Sequence, residues 1–190
     1  MKIGILRIGQ VASNVGDRLR ENLNTILVGS RSTVIGEEIP SPKEAFSDER
    51  NQYRSDIILR EVSNYARKIN AYDRVLGIVN VDVFVPRLNF VFGEAECPGK
   101  GALISLWRLR PEFYGRPPDR QLFIKRSVKE AVHELGHTLG LAHCSDRFCV
   151  MHFSNSIFET DIKQNFFCDK CSIRAKAVVI GLGKNIEGQV

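Results

Sequence analysis

The feature that most constrains this chain is the stretch His-Glu-Leu-Gly-His-Thr-Leu-Gly-Leu-Ala-His at 133–143, which contains three of its four histidines. Residues four apart on an α-helix lie on the same face, so His133 and His137 can offer ring nitrogens to one metal ion. Gly140 follows where a helix that reverses direction needs a residue tolerant of positive φ. The reversal would bring His143 to the same ion. The pattern therefore predicts a helix, a sharp turn and a three-histidine metal site.

Glu134 directly follows the first histidine and points about 100° around the helix. It is displaced too far to be a further ligand of the same kind, but it can reach a water molecule at the metal. Three neutral imidazoles leave a fourth coordination position open, which is typical of a catalytic rather than a structural zinc ion. The spacing fits HExxHxxGxxH, and it predicts a hydrolase in which Zn2+ polarises the scissile carbonyl and Glu134 passes a proton from water to the leaving amine.

A second group of metal-binding residue types follows directly. Cys144 and Cys149 form Cys-x4-Cys, and Cys168 and Cys171 form Cys-x2-Cys. In a cytosolic chain such pairs more often hold a metal than form disulfides, and four thiolates close a tetrahedral site. We assign these four cysteines to a structural zinc, so the predicted cofactors are two Zn2+ ions per chain. Two disulfides or a redox Cys-x2-Cys are the alternatives, and Cys97 is expected to be a loop or core thiol.

Composition places the chain among ordinary globular proteins. Of its 190 residues 43% are hydrophobic and 26% are charged, which excludes a disordered chain. The apolar runs, such as 177–180, are far too short for a membrane span, and the N-terminal segment lacks the apolar core of a signal peptide. We expect one cytoplasmic catalytic domain, monomeric, with an upper lobe at 1–140 carrying the active-site helix and a lower lobe at 141–190 carrying the cysteines.

The basic residues are concentrated just before the histidine motif. The formal net charge is +5, and the segment 108–129 holds seven basic residues against two acidic ones. This segment is either a basic rim that favours acidic peptides or, as we prefer, a solvated face. The segment matches no nucleic-acid-binding motif, so no nucleic-acid partner is expected.

Strand and helix patterns alternate along the first half, which predicts an α/β (α+β) fold with a mainly parallel, five-stranded sheet. The connection 98–101 is tight, so the last two strands should be antiparallel neighbours, with one at the sheet edge. The segments 47–51, 111–119 and 144–167 are expected to be loops. Strands are predicted at Lys2–Ile8, Arg31–Ile39, Val75–Val81, Asn89–Ala95 and Ala102–Leu106, and helices at Asn14–Leu27, Ser55–Ile69, Leu122–Leu139 and Ser172–Leu182.

These residues together resemble a known family. The runs His133 to Cys144, Cys149-Val150-Met151 and Cys168-Asp169-Lys170-Cys171 are similar to those of the metzincin clan of zinc peptidases and, within it, the archaemetzincins. The resemblance is specific over roughly residues 120–171. It implies a metzincin-like twisted sheet with helices, followed by a small loop-rich lobe stapled by zinc.

The resemblance also implies roles for individual residues. Met151 would be the Met-turn residue, a packing platform beneath the catalytic metal. A peptide substrate would lie extended along Asn89–Ala95. Phe153 stands where some metzincins have tyrosine and has no donor for an oxyanion, which leaves Tyr114 as a candidate for that role.

Two other functions compete with peptide hydrolysis. One is a zinc-organised module that binds peptides without turnover, and the other is a hydrolase of a non-peptide amide. The presence of Glu134 speaks against the first, because a binding module has no need of that carboxylate.

Overall fold

The computed structural model describes residues 1–187, which form eight β-strands and five α-helices. The strands are β1 (Lys2–Ile8), β2 (Arg31–Ile39), β3 (Phe46–Ser47), β4 (Gln52–Arg54), β5 (Arg74–Val79), β6 (Val83–Phe84), β7 (Gly93–Ala95) and β8 (Gly101–Ser105). The helices are α1 (Ser13–Ile26), α2 (Ser55–Ile69), α3 (Arg120–Thr138), α4 (Ile157–Ile162) and α5 (Asp169–Glu187).

The main sheet has five strands in the order β2-β1-β5-β8-β7. The first four are parallel neighbours, and β7 pairs antiparallel with β8 at the edge. The crossover from β1 through α1 to β2 and the return through α2 to β5 produce this order, as is usual for parallel strands. The predicted α/β fold with its antiparallel edge strand is confirmed.

Hydrophobic periodicity explains how the helices cover the sheet. Val15, Leu19 and Leu23 are buried on one face of α1, and Ile58 and Val62 are buried on α2. The buried side chains of α1 share a core with those of α3, while α2 packs in a second core. The two cores lie on opposite faces of the sheet, so the active-site helix shares its face with α1.

Four parts of the fold differ from the sequence prediction. Of the predicted strand Asn89–Ala95, only Gly93–Ala95 is a strand. The pairing with β8 ends at the bond from the N–H of Ser105 to the carbonyl of Phe92, and the N–H of Val91 donates instead to the carbonyl of Val83. A small second sheet in the order β3-β4-β6 was not predicted, since its strands have two or three residues.

Helix α4 was also not predicted, and it interrupts the segment that was expected to be loop. Its start is fixed by a capping box, in which the side chains of Ser156 and Glu159 bond each other's backbone N–H groups. The six-residue length of α4 leaves too little periodicity to detect. The last helix starts at Asp169 rather than at the predicted Ser172, so Cys171 lies within its first turn.

Candidate active site

The active-site helix α3 ends in the turn that the histidine motif predicts. Gly140 has a φ of +81°, its N–H donates to the carbonyl of His137 at 2.8 Å, and the N–H of Leu141 donates to the carbonyl of Gly136 at 3.1 Å. These two bonds define a Schellman motif, which needs a residue in the left-handed region. The turn sends the chain back along the helix face and brings His143 to the two helical histidines.

The three histidines converge as predicted. Their ring nitrogens all lie within 4.8 Å of one another. The Nδ1 atoms of His133 and His137 contact the carbonyl oxygens of Val150 and Leu141, each at 2.7 Å. A carbonyl only accepts hydrogen bonds, so each Nδ1 carries the proton and each Nε2 presents a lone pair.

These lone pairs fit a metal ion. The Nε2 atoms of His133 and His137 are 3.1 Å apart. Two nitrogens that are 2.0–2.1 Å from one tetrahedral zinc stand roughly 3.3 Å apart. Two facing lone pairs repel each other unless a cation lies between them. The donor set and its spacing therefore suit Zn2+.

The electrostatic surroundings keep these rings neutral. Burial lowers the pKa of His133 well below its usual range and also lowers the pKa values of His137 and His143. A metal ion binds only the neutral ring. The site is thus in its metal-binding protonation state at neutral pH.

Glu134 is buried beside the histidines, with 5% of its surface exposed. Burial, followed by the nearby carboxylate of Glu130, raises its pKa well above the usual range. The edge strand approaches it closely: a Cβ on Gly93 would come within 2.6 Å of the Cγ atom of Glu134. Only glycine allows the strand and the carboxylate to come so near.

A cleft of about 430 Å³ contains this site. The whole segment 89–95 lines one wall, and the three histidines, Glu134 and Phe153 line the opposite side. The segment expected to receive a peptide thus faces the metal site, although only its last three residues form a strand.

Met151 and Phe153 pack against residues of the histidine motif. Met151 is fully buried and packs against Gly136, where no side chain could fit without displacing the sulfur atom. The ring of Phe153 packs against His143, with centroids 4.9 Å apart. Phe153 therefore supports the ring of His143 by packing. Tyr114 does not line the cleft, and its hydroxyl donates to the carbonyl of Arg108, so the structure does not support an oxyanion role for it.

The four C-terminal cysteines form a second cluster. Their sulfur atoms lie within 4.8 Å of one another, and the sulfur atoms of Cys144 and Cys168 are 3.8 Å apart. Thiolates about 2.3 Å from one tetrahedral zinc stand about 3.8 Å apart, whereas a disulfide bond is about 2.05 Å long. All five cysteines are free, which contradicts the two-disulfide alternative. Cys97 is an exposed loop thiol that lines the cleft.

The basic segment 108–129 does not form a rim of the cleft, since none of its seven basic residues lines it. Nor is it simply a solvated face. Arg108 pairs with Asp82 at 2.6 Å, Arg126 pairs with Asp161 at 2.7 Å, and Lys129 is buried. The composition shows how many charges the segment carries, but it does not show which residues of the folded protein pair with them.

Two further residues of the cleft were missed. Glu130 and Lys163 both line it, and their side chains form a buried ion pair with N···O 3.0 Å. Glu130 could have been found, because it lies one helical turn before Glu134 on the same face. Lys163 has no sequence signal, since it comes from the unpredicted helix region.

Three features define the class of protein: the helix that carries His133 and His137, the turn that brings His143 back, and the sheet edge that faces them. This class is a zinc metallopeptidase of the metzincin type. A family model described as Peptidase family M54 matches residues 4–177, and the chain belongs to this family. The resemblance seen in the sequence is thereby confirmed.

Individual relatives agree with this assignment. The chain is 43% identical to archaemetzincin of Methanocaldococcus jannaschii over 171 residues, which cover 90% of each chain. It matches the crystal structure of archaemetzincin from Methanopyrus kandleri with a TM-score of 0.81 and 37% identity, covering 94% of this chain and 95% of that one. It also matches a zinc-dependent peptidase from Methanocorpusculum labreanum with a TM-score of 0.82 and 29% identity, covering 91% and 99% of the two chains.

Proposed function

We propose that this zinc metallopeptidase hydrolyses peptide bonds with Glu134 as the proton carrier and His133, His137 and His143 as the ligands of a catalytic Zn2+. The observation that carries the proposal is the pair of facing Nε2 atoms beside a buried carboxylate in an open cleft. Zinc bound there would polarise the scissile carbonyl and lower the pKa of the attacking water.

Glu134 is suited to accept and return a proton. Burial raises the pKa of the Glu134 carboxyl well above its usual range, which makes the carboxylate a stronger base toward the attacking water. It takes a proton from the attacking water and then passes that proton to the leaving amine. The close approach of Gly93 holds this carboxylate against the wall where the substrate backbone would lie.

The peptide would bind extended along 89–95. The outer edge of β7 has no strand neighbour among residues 1–187, so its backbone groups are available to a substrate strand. Main-chain pairing of this kind gives affinity with little sequence selectivity. Phe153 would contribute by fixing the ring of His143 rather than by donating a hydrogen bond.

The second Zn2+ would be structural and held by Cys144, Cys149, Cys168 and Cys171. The sulfur separation of 3.8 Å suits a tetrahedral thiolate site, and four thiolates leave no position for a substrate. We place the boundary between an upper lobe (1–140) and a lower lobe (141–190) at the Schellman turn, although one hydrophobic core includes residues from both sides.

We also propose that the enzyme acts as a monomer in the cytoplasm, where free thiols stay reduced. None of the helices within residues 1–187 combines the length and the apolar character needed to cross a membrane. Peptides are the proposed partners.

The test is Glu134→Gln in zinc-loaded protein, assayed with a panel of peptides and acyl amides. Loss of the proton carrier should lower kcat/KM by about 10²- to 10⁴-fold, while the zinc content stays at two per chain. The metal content is the internal control for folding, and chelated wild-type protein is the control for metal dependence.

Each competing function has its own outcome. Full peptidase activity in Glu134→Gln would contradict the mechanism. Peptide binding without any hydrolysis in the wild type would indicate a binding module, and cleavage of acyl amides alone would indicate a non-peptide hydrolase.

A further inference from the structure

The Met-turn segment, Val150 to His152, contacts one face of α3 at successive positions. The carbonyl of Val150 accepts a hydrogen bond from Nδ1 of His133 at 2.7 Å. Met151 packs against Gly136, one turn further along the helix. The first contact fixes the ring orientation of a proposed ligand, and the second fixes how closely the segment approaches the helix.

The third contact runs through a buried lysine. The Nζ atom of Lys163 donates to the carbonyl of His152 at 3.4 Å and forms an ion pair with Oε1 of Glu130 at 3.0 Å. Thr160 also donates to Oε1 of Glu130, at 3.2 Å. Since Glu130 precedes His133 by three residues, positions 130, 133 and 136 lie along one side of the helix. The Met-turn segment is therefore tied to α3 at three points, and only one of them is charged.

This ion pair is not explained by stability alone. The side chains of Lys163 and Glu130 are 0% and 4% exposed. A buried ion pair loses so much hydration that well-packed apolar residues of similar volume are often at least as stabilising. What an apolar pair would not replace is the bond from Lys163 to the carbonyl of His152.

Attachment of α4 does not depend on Lys163 either. Lys129 donates to the carbonyls of Thr160 and Asp161, both at 2.8 Å. Arg126 forms two further bonds to Asp161, at 2.8 and 2.7 Å. These contacts join α3 to α4 without touching the Met-turn segment. The particular contribution of Lys163 is thus its link between His152 and the active-site helix.

We infer that Lys163 is a positioning residue for the histidine metal site: its buried ammonium ties the Met-turn segment to Glu130 and so holds the Val150 carbonyl where it orients His133. The inference rests on the proposed function in one respect, namely that the three histidines bind a metal. Lys163 does not touch substrate in this role. It acts through the segment that it fixes.

The test uses Co2+ as a spectroscopic probe of the histidine site, with zinc retained at the cysteines. The variant is Lys163→Met with Glu130→Met, which removes both charges together and avoids leaving a buried carboxylate unpaired. Two quantities are measured in folded protein: the visible absorption of bound Co2+ and its dissociation constant by chelator competition. We expect an altered spectrum and Co2+ binding weaker by about 10- to 100-fold, as for other residues that orient metal ligands.

Lys129→Met is the matched control, because it also removes a buried lysine that joins α3 to α4. It should leave the Co2+ spectrum and affinity unchanged. If the double variant has the wild-type Co2+ spectrum and Co2+ affinity, the positioning role of Lys163 is overturned. An equal effect of Lys129→Met would overturn it as well, by showing that only attachment of α4 matters. Absence of histidine-dependent Co2+ binding in the wild type would overturn the proposed function together with this inference.

Discussion

The histidine cluster and the cysteine cluster begin at adjacent residues, His143 and Cys144, yet their surroundings differ completely. His143 is exposed at an open cleft, whereas Cys149 and Cys171 are buried in the hydrophobic core. Three imidazoles leave a coordination position open, while four thiolates leave none. If both clusters bind zinc as proposed, ligand number and packing, rather than the kind of metal, would distinguish the catalytic site from the structural one.

The protonation states of the two clusters differ as well. Burial lowers the pKa values of all three histidines, so their rings are already neutral and able to bind a metal. In the cysteine cluster burial raises the pKa of Cys149 and Cys171, while the backbone N–H of Cys171 helps to lower the pKa of Cys168. Cys149 and Cys171 must therefore lose a proton when a metal binds.

The strongest test of the comparison is Cys144→Ser. Losing one thiolate opens the tetrahedral site, and we expect the free energy of unfolding to fall by about 4 kcal/mol or more, as when a structural metal is lost. Because Cys144 adjoins His143, metal affinity at the histidines should also fall. Denaturant unfolding and metal analysis measure both effects.

Cys97→Ser is the control, since it removes an exposed thiol outside the cluster. Its free energy of unfolding should stay within about 0.5 kcal/mol of wild type. Unaltered zinc affinity at the histidines of Cys144→Ser would show that the two centres are independent.

Gly136→Ala is expected to have a smaller effect, and mainly on the histidine centre. Alanine is ordinarily favoured over glycine in a helix by about 1 kcal/mol. Here its Cβ would overlap the sulfur atom of Met151, which must shift together with the Met-turn segment. Zinc affinity at the histidines should fall by roughly 10-fold, as measured by chelator competition, while the cysteine zinc is retained. If Gly136→Ala stabilises the protein and leaves zinc affinity at the histidines unchanged, Met151 does not pack closely against the helix at this position.

The smallest expected effect concerns Lys129, which joins the histidine-bearing helix α3 to α4. Burial lowers its pKa to about 8 in the folded protein, whereas in the unfolded chain it is about 10.4. The folded state thus releases this proton first, and stability should rise with pH between about 8 and 10.

The measurement compares wild type with Lys129→Met in denaturant at pH 7.5 and 9.5. After allowance for solvent screening we expect the wild type to gain about 1 kcal/mol more than the variant over this interval. Tyr65, whose pKa is raised to about 12, acts in the opposite direction only above pH 10, where the unfolded tyrosine ionises first. Equal pH dependence in the two proteins would show that Lys129 keeps an ordinary pKa.

Much of the fold and the site was predictable because the signals were local. The periodic apolar residues of α1 and α2 predicted both helices, and the tight connection at 98–101 predicted the antiparallel edge. Gly140 predicted the turn that brings His143 back. In each case a few neighbouring residues contain the physical cause.

The missed features depend on contacts between distant residues. Helix α4 is short, and it is anchored by bonds from Arg126 and Lys129 that its own sequence does not reveal. The segment before Gly93 has strand-forming residues, but its backbone bonds elsewhere. Tyr114 looked suitable by residue type alone, and its hydroxyl is satisfied by a carbonyl outside the cleft.

The sequence alone determined which atoms are available for chemistry: the three histidines, Glu134 and the paired cysteines at spacings that one helix and one turn bring together. The tertiary structure decided which charges surround them. It placed Glu130 and Lys163 at the cleft and set Gly93 against Glu134. It also turned Arg108, Arg126 and Lys129 toward internal partners. The reason is physical, since ligand spacing is fixed within a few bonds of the backbone, whereas burial and charge pairing depend on how distant segments pack.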